Sequence, residues 1–158
     1  MKFPESLLRG RMAETIVSEM LQDGGYFVYR FGYEGILQSL VQRGLPRMNK
    51  GDIEAEKIRT MPDFIVMKNG DVSFVEVKFR SGNGLAESLK EWGTRAAKYW
   101  PEARLIIVRP YEPHFSISTV ERFAQTGELY PLVEDRVIAI DGEIIKQYEE
   151  LICKYCHR

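Results

Sequence analysis

Met61-Pro-Asp-Phe-Ile-Val-Met-Lys-Asn-Gly-Asp-Val-Ser-Phe-Val-Glu-Val-Lys-Phe-Arg80 decides the fold. Asn-Gly between two apolar runs is a strong signal for a β-hairpin with a two-residue type I′ turn. With Asn69 and Gly70 as the turn, Lys68 faces Asp71, and the same register carried back sets Asp63 opposite Glu76. Facing residues on one side of an antiparallel pair have Cβ atoms about 4.5–5.5 Å apart, and like charges there destabilise the sheet. Something positive is therefore expected between the two carboxylates. Side chains alternate along a strand, so Lys78 shares the face of Glu76, while Val77 points the other way. Ile65, Met67, Val72 and Phe74 continue the acidic face; Phe64, Val66, Val75 and Val77 form the opposite one. Both faces call for cover by helices.

Around this hairpin the chain reads as alternating helix and strand. Leu8, Met12, Ile16, Val17, Met20 and Leu21 recur at helical spacing, and Gly24-Gly25 ends that helix. Tyr26 to Tyr33 reads as a strand, Glu34 to Arg43 as a short helix, Gly44 to Gly51 as loop and Asp52 to Arg59 as a charged helical turn. Leu85, Leu89, Trp92, Ala96 and Tyr99 mark an amphipathic helix, and Ala103 to Val108 a buried strand. Ser118-Thr-Val-Glu121 fits a capping box that starts another helix. Val137 to Ile140 reads as a short strand, and Asp141 caps a last helix with Ile144, Ile145, Tyr148, Leu151 and Ile152. The expected architecture is α/β: a central mixed sheet of about four to five strands with helices on both faces. One domain is expected, with its core at about 5–110 and a helical extension at about 114–158.

The 158 residues are 44% hydrophobic and 28% charged, ordinary globular values. Lys plus Arg is 22 and Asp plus Glu 23. The balance hides a split: residues 1–110 hold 17 basic against 14 acidic side chains, residues 111–158 hold 5 against 9. This permits a nucleic-acid partner without requiring one. No apolar run reaches membrane-spanning length and no signal peptide is evident, so a cytoplasmic protein with no membrane partner is expected. Two cysteines exclude a disulfide-framed module.

The cluster Asp63, Glu76 and Lys78 suits Mg²⁺-assisted phosphodiester hydrolysis. Mg²⁺ takes hard oxygen ligands and keeps several waters. Asp63 and Glu76 offer two, and the Val77 carbonyl is a candidate third. Such a metal, with Mn²⁺ as its substitute, polarises the phosphate and lowers the pKa of a bound water. Lys78 beside it can orient the attacking water and offset charge on phosphorus. A metal would also relieve the repulsion between the facing carboxylates.

Pro62-Asp63, twelve residues, then Glu76-Val77-Lys78 resembles the PD-(D/E)XK nuclease superfamily, with its restriction-endonuclease-like fold. Gly10-Arg11-Met12-Ala13-Glu14, leading to Gly24-Gly25-Tyr26-Phe27-Val28, is similar to the first helix and strand of archaeal Holliday-junction resolvases. In that subgroup a glutamate of the first helix completes the acidic site, and Glu14 matches it. The resemblance covers about residues 7–108. It implies a metal-dependent endonuclease acting on DNA, with Asp63, Glu76, Lys78 and Glu14 catalytic and Asp63, Glu76, Val77 and Glu14 at the metal. The alternatives kept open are a ribonuclease, or a nucleic-acid-binding or assembly subunit that no longer cuts.

Arg80 shares the face of Glu76 and Lys78: it either holds a phosphate or is a solvated strand end. Arg11, and Arg47 and Lys50 in their loop, are further candidate backbone contacts. Lys90 and Arg95 follow on the next helix, where a solvated face is the default and relatives often place a polar residue near the site. Trp92 and Trp100 read as core rather than base-stacking platforms. Cys153-Lys-Tyr-Cys156-His157 spells a haem-attachment motif, but it lacks an export signal, and a zinc site needs further ligands, with His114 the one other histidine. The stripe of the last helix either packs on its own core or pairs two copies, and a homodimer is the expectation.

Overall fold

The computed structural model describes residues 4–32, 51–82 and 87–156. The expected helix at Glu34 to Arg43, the loop holding Arg47 and Lys50, and His157 lie outside the described residues. Along the described chain the elements are α1 (Glu5–Asp23), β1 (Phe27–Arg30), α2 (Ile53–Arg59), β2 (Phe64–Lys68), β3 (Asp71–Phe79), α3 (Glu87–Ala96), β4 (Arg104–Val108), β5 (Phe115–Thr119), α4 (Val120–Thr126), β6 (Tyr130–Pro131) and α5 (Gly142–Tyr155).

The protein is α/β, built on a mixed sheet in the order β1-β2-β3-β4-β5-β6. The β3–β4 pair is parallel and its chain connection runs through α3; the other pairs are antiparallel. Six described strands replace the four to five expected from sequence. The additional ones come from the stretch after residue 114. Phe115–Thr119 alternates apolar and polar residues, but Ser118-Thr-Val-Glu121 competes as a helix start; in the fold Ser116 and Ser118 are as buried as Phe115 and Ile117. β6 is two residues long.

Alternation along the strands divides the core. Phe64, Val66, Val75, Val77, Ile106 and Val108 pack with Ala13, Val17, Met20 and Leu21 of α1 and with Ile145, Tyr148 and Ile152 of α5. On the other face Leu105 and Ile107 pack with Leu89 and Ala96 of α3 and with Val120 and Phe123 of α4. Helices therefore cover both faces. The stripe of α5 is spent on its own core. Gly93 lets α3 approach α4: a Cβ there would stand 3.0 Å from a ring carbon of Phe123.

Val137 to Ile140 is not a strand. Side chains take its backbone groups instead: the Asp135 carboxylate accepts from the Ile138 N–H at 2.7 Å, and the Tyr26 hydroxyl accepts from the Ala139 N–H at 2.9 Å. Ile138 and Ile140 nonetheless reach the core. Asp141 caps α5 as expected, accepting from the Glu143 N–H at 2.8 Å, whereas α4 is capped by Thr119, which accepts from the Arg122 N–H, and Ser118 of the expected capping box stays in β5. Among the described residues no helix is long and apolar enough to cross a membrane.

Candidate active site

The hairpin forms in the expected register. Asn69 and Gly70 both have positive φ (53° and 87°), as a type I′ turn requires, and Lys68 pairs with Asp71. Phe64 pairs with Val75, so one step further Asp63 stands against Glu76 at the mouth of the strand pair. One oxygen of Asp63 accepts the Val77 N–H at 2.8 Å, tying the carboxylate to β3. The Asp63 carbonyl accepts from the N–H groups of Phe31 and Gly32, at 2.8 and 3.2 Å. A Cβ on Gly32 would stand 3.3 Å from Asp63 Cα, so the chain leaving β1 passes close beneath this residue.

Glu76 is 4% exposed. It lies beside Leu105 in the parallel register, on the face covered by α3, which accounts for its burial. Lys78 is on the same face and pairs with Glu76 at 2.5 Å. The Lys78 ammonium also sits 4.8 Å from the ring centre of Trp92, which α3 presents over it. Trp92 is thus partly buried against the core and also a wall of the site.

Glu14 belongs to α1, on the opposite face of the sheet, between the buried Ala13 and Val17. It reaches past the sheet to Arg30 at the end of β1, 3.4 Å away. Glu14, Arg30, Arg59, Asp63, Glu76 and Lys78 line one cavity of about 230 Å³, with Met61, Val77, Gly32 and Trp92 completing its wall. Arg59 is delivered by α2, which is held in place by Trp100 Nε1–H donating to Lys57 O and by the Tyr99 hydroxyl donating to Glu56.

The electrostatics single out Asp63. Glu76 has Lys78 and Glu14 has Arg30, but among the described residues Asp63 has no cation within ion-pair distance. Burial, reinforced by the nearby Glu76, pushes its pKa up to about 8, against the pull of the Val77 N–H. Burial also raises Glu76, with Lys78 pulling the other way. Two desolvated carboxylates that resist ionisation side by side form a hard-oxygen donor set to which a divalent cation is suited. Among the described residues no three carboxylate, imidazole or thiol groups converge as a ready-made metal cage. Glu14 leans on Arg30 instead, and Glu76 on Lys78.

Asp63, Glu76, Lys78, Glu14 and Val77 are therefore brought together at one cavity. Arg80 lies just beyond, in an adjoining groove. Arg11 faces a separate groove with Met12, Ile16, Leu151 and Tyr155. Lys90 and Arg95 are exposed on α3 and line neither the acidic cavity nor the groove beside it. Cys153 stands 3.4 Å from His114 Nε2, while Cys156 is buried in the core, so the two thiols do not face one ligand position. Sequence reasoning missed Arg30, Arg59 and the Trp92 contact. Arg30 had a local signal, a charge ending an apolar strand; Arg59 and Trp92 are brought in only by the docking of helices.

Comparison with known proteins returned no matching family model, no matching curated protein and no matching solved structure.

Proposed function

We propose that this chain is a Mg²⁺-dependent phosphodiesterase of the restriction-endonuclease-like kind, an endonuclease that cuts DNA. The observation that carries the reading is the hairpin register, which sets Asp63 and the buried Glu76 together with Lys78 on their face. The order of α1, the β1–β2–β3 meander, α3 and a parallel β4 supports the same reading.

Asp63 and Glu76 would hold the metal, with Glu14 closing the acidic side and the main chain of Val77 beside them. When bound, the cation supplies charge for the phosphate oxygens and acidifies a water. The chain's own residues do the rest. Lys78, fixed between Glu76 and the Trp92 ring, orients the attacking water and offsets negative charge growing on phosphorus. Arg30 and Arg59, on the wall of the same cavity, add positive charge around a bound phosphate. The cover of α3 restricts solvent and strengthens these interactions.

The test is cleavage of branched, flapped, single-stranded and plain duplex DNA, and of RNA, in Mg²⁺, Mn²⁺ or EDTA. Metal-dependent cutting of DNA that disappears in Lys78→Ala is expected. Cutting of RNA alone would move the substrate class. Tight binding without cutting of any substrate would overturn the enzyme in favour of a binding subunit.

A further inference from the structure

A second groove of about 500 Å³ adjoins the acidic cavity and shares Glu14, Val77 and Lys78 with it. Its walls are Arg9 and Gly10 of α1 on one side and Phe79, Arg80 and Ser81 on the other. Glu14, Val77 and Lys78 stand between the two spaces.

Two features of this groove, Gly10 and Arg80, are unexplained by packing. Gly10 sits inside the 19-residue α1, where glycine weakens a helix. A Cβ at Gly10 would meet nothing within 4 Å, so no neighbour demands the gap. Arg80 is held in place, its N–H donating to Val108 O at 2.9 Å and its guanidinium to Phe79 O at 2.7 Å, and it has no acidic partner among the described residues. Arg9 joins it from α1, with its guanidinium 5.9 Å from the Phe79 ring centre. Arg9 is already paired with Glu5, which lines the same groove, so the groove combines one fixed cation, Arg80, with open width beside the acidic cavity.

We infer that this groove receives the backbone of a nucleic-acid strand as it leaves the acidic cavity, with Arg80 gripping a phosphate beyond the one attacked and Gly10 keeping the path open. The inference rests on the phosphodiesterase reading and adds the path the strand takes beyond the attacked phosphate. The spacing fits. Arg80 lies two residues beyond Lys78, about 6.6 Å along an extended chain. A nucleic-acid strand rises about 3.4 Å per nucleotide along its axis, so Arg80 falls about two nucleotides from the reacting phosphate.

The experiment is binding measured by fluorescence anisotropy in EDTA, so that nothing is cut, with a 20-nucleotide single strand, its duplex, and the RNA of the same sequence, across a KCl series. Gly10→Leu, which improves helix propensity and fills the groove, is expected to weaken binding at least fivefold. Arg80→Gln is expected to weaken it similarly and to flatten the salt dependence by about 0.7–0.9 in log–log slope, one phosphate contact. Lys146→Gln, the same loss of charge on the exposed side of α5, is expected to change neither. Tighter binding of DNA or of RNA names the sugar. Wild-type affinity in both Gly10→Leu and Arg80→Gln, an equal loss in Lys146→Gln, or no oligonucleotide binding by the wild type would overturn the inference. Groove effects on binding in a protein that cuts nothing would instead overturn the phosphodiesterase reading and leave the groove standing.

Discussion

Asp63→Asn should abolish cutting and yet stabilise the metal-free protein, increasingly so as pH rises. The carboxyl holds its proton up to a pKa of about 8 in the folded protein, against an ordinary value of 3.8 in an unfolded chain. Between those two values the folded state binds more protons than the unfolded state, so stability falls as pH rises. The window spans about four pH units at about 1.4 kcal/mol each, a ceiling of about 6 kcal/mol. The carboxyl oxygens still meet water in the cavity, and that screening reduces the expected effect to about 2–3 kcal/mol at pH 8. Asparagine has no proton to lose, and its carbonyl can still accept the Val77 N–H. In a protein of this size the gain corresponds to a rise of about 5–10 °C in Tm. Thermal melts of both proteins in EDTA from pH 4 to 8.5 would read it. The two curves should nearly coincide at pH 4 and diverge steadily, with Asp63→Asn above. Parallel curves, or a wild type that gains on the variant as pH rises, would refute the account of a desolvated, uncompensated carboxylate. Mg²⁺ at a hundred times its Kd should then restore about 3 kcal/mol to the wild type at pH 8 and little to the variant.

Lys78→Met keeps the aliphatic stem but removes the charge, and single-turnover cutting should fall about 100- to 1000-fold. It should also destabilise the metal-free protein near neutral pH, because Glu76 is left buried without its partner; an unchanged Tm would argue against that pair. Tyr26→Phe removes the hydroxyl that accepts from Ala139 and donates to Val137. A loss of about 1–3 kcal/mol is expected, with faster amide exchange at residues 138–140. Gly93→Ala should lower Tm although alanine is the better helix former, because its Cβ would lie 3.0 Å from Phe123 Cδ1. Overpacking of this kind costs about 1–3 kcal/mol, at or above the ~1 kcal/mol gained in helix propensity, because the fully buried Phe123 ring has little room to give.

The centre of the candidate site was legible because a two-residue turn leaves the hairpin no freedom of register. Asn69-Gly70 dictates which residues face one another, and alternation then assigns Glu76 and Lys78 to one face. The stripe of α1 was legible for a similar reason: Val17, Met20 and Leu21 are buried as the 3.6-residue period requires, although Leu8 at the frayed end is half exposed. What failed was whatever depends on side chains reaching across the fold. Val137 to Ile140 has the composition of a strand, but Tyr26, more than a hundred residues earlier, and Asp135 take its N–H groups. β5 went unread although Phe115-Ser-Ile-Ser-Thr119 alternates as a strand does, because Ser118-Thr-Val-Glu121 competes as a helix start. Arg59 enters the cavity through the docking of α2 on Tyr99 and Trp100, contacts that no local pattern encodes.

α1 is gripped from two sides. One stripe lies on β3 and the rest of the sheet, and the Tyr148 hydroxyl of α5 meets the Asp23 carboxylate at its far end. Glu14 is the one acidic residue of the site that does not ride on the hairpin, so its distance from Asp63 and Glu76 is set by how α1 is seated. The last helix therefore works as a tie-rod for a carboxylate it never touches. Loosening Tyr148 or Ile152 would let α1 slide or tilt, and the aperture between Glu14 and the hairpin acids would widen with no change in any residue of the cavity.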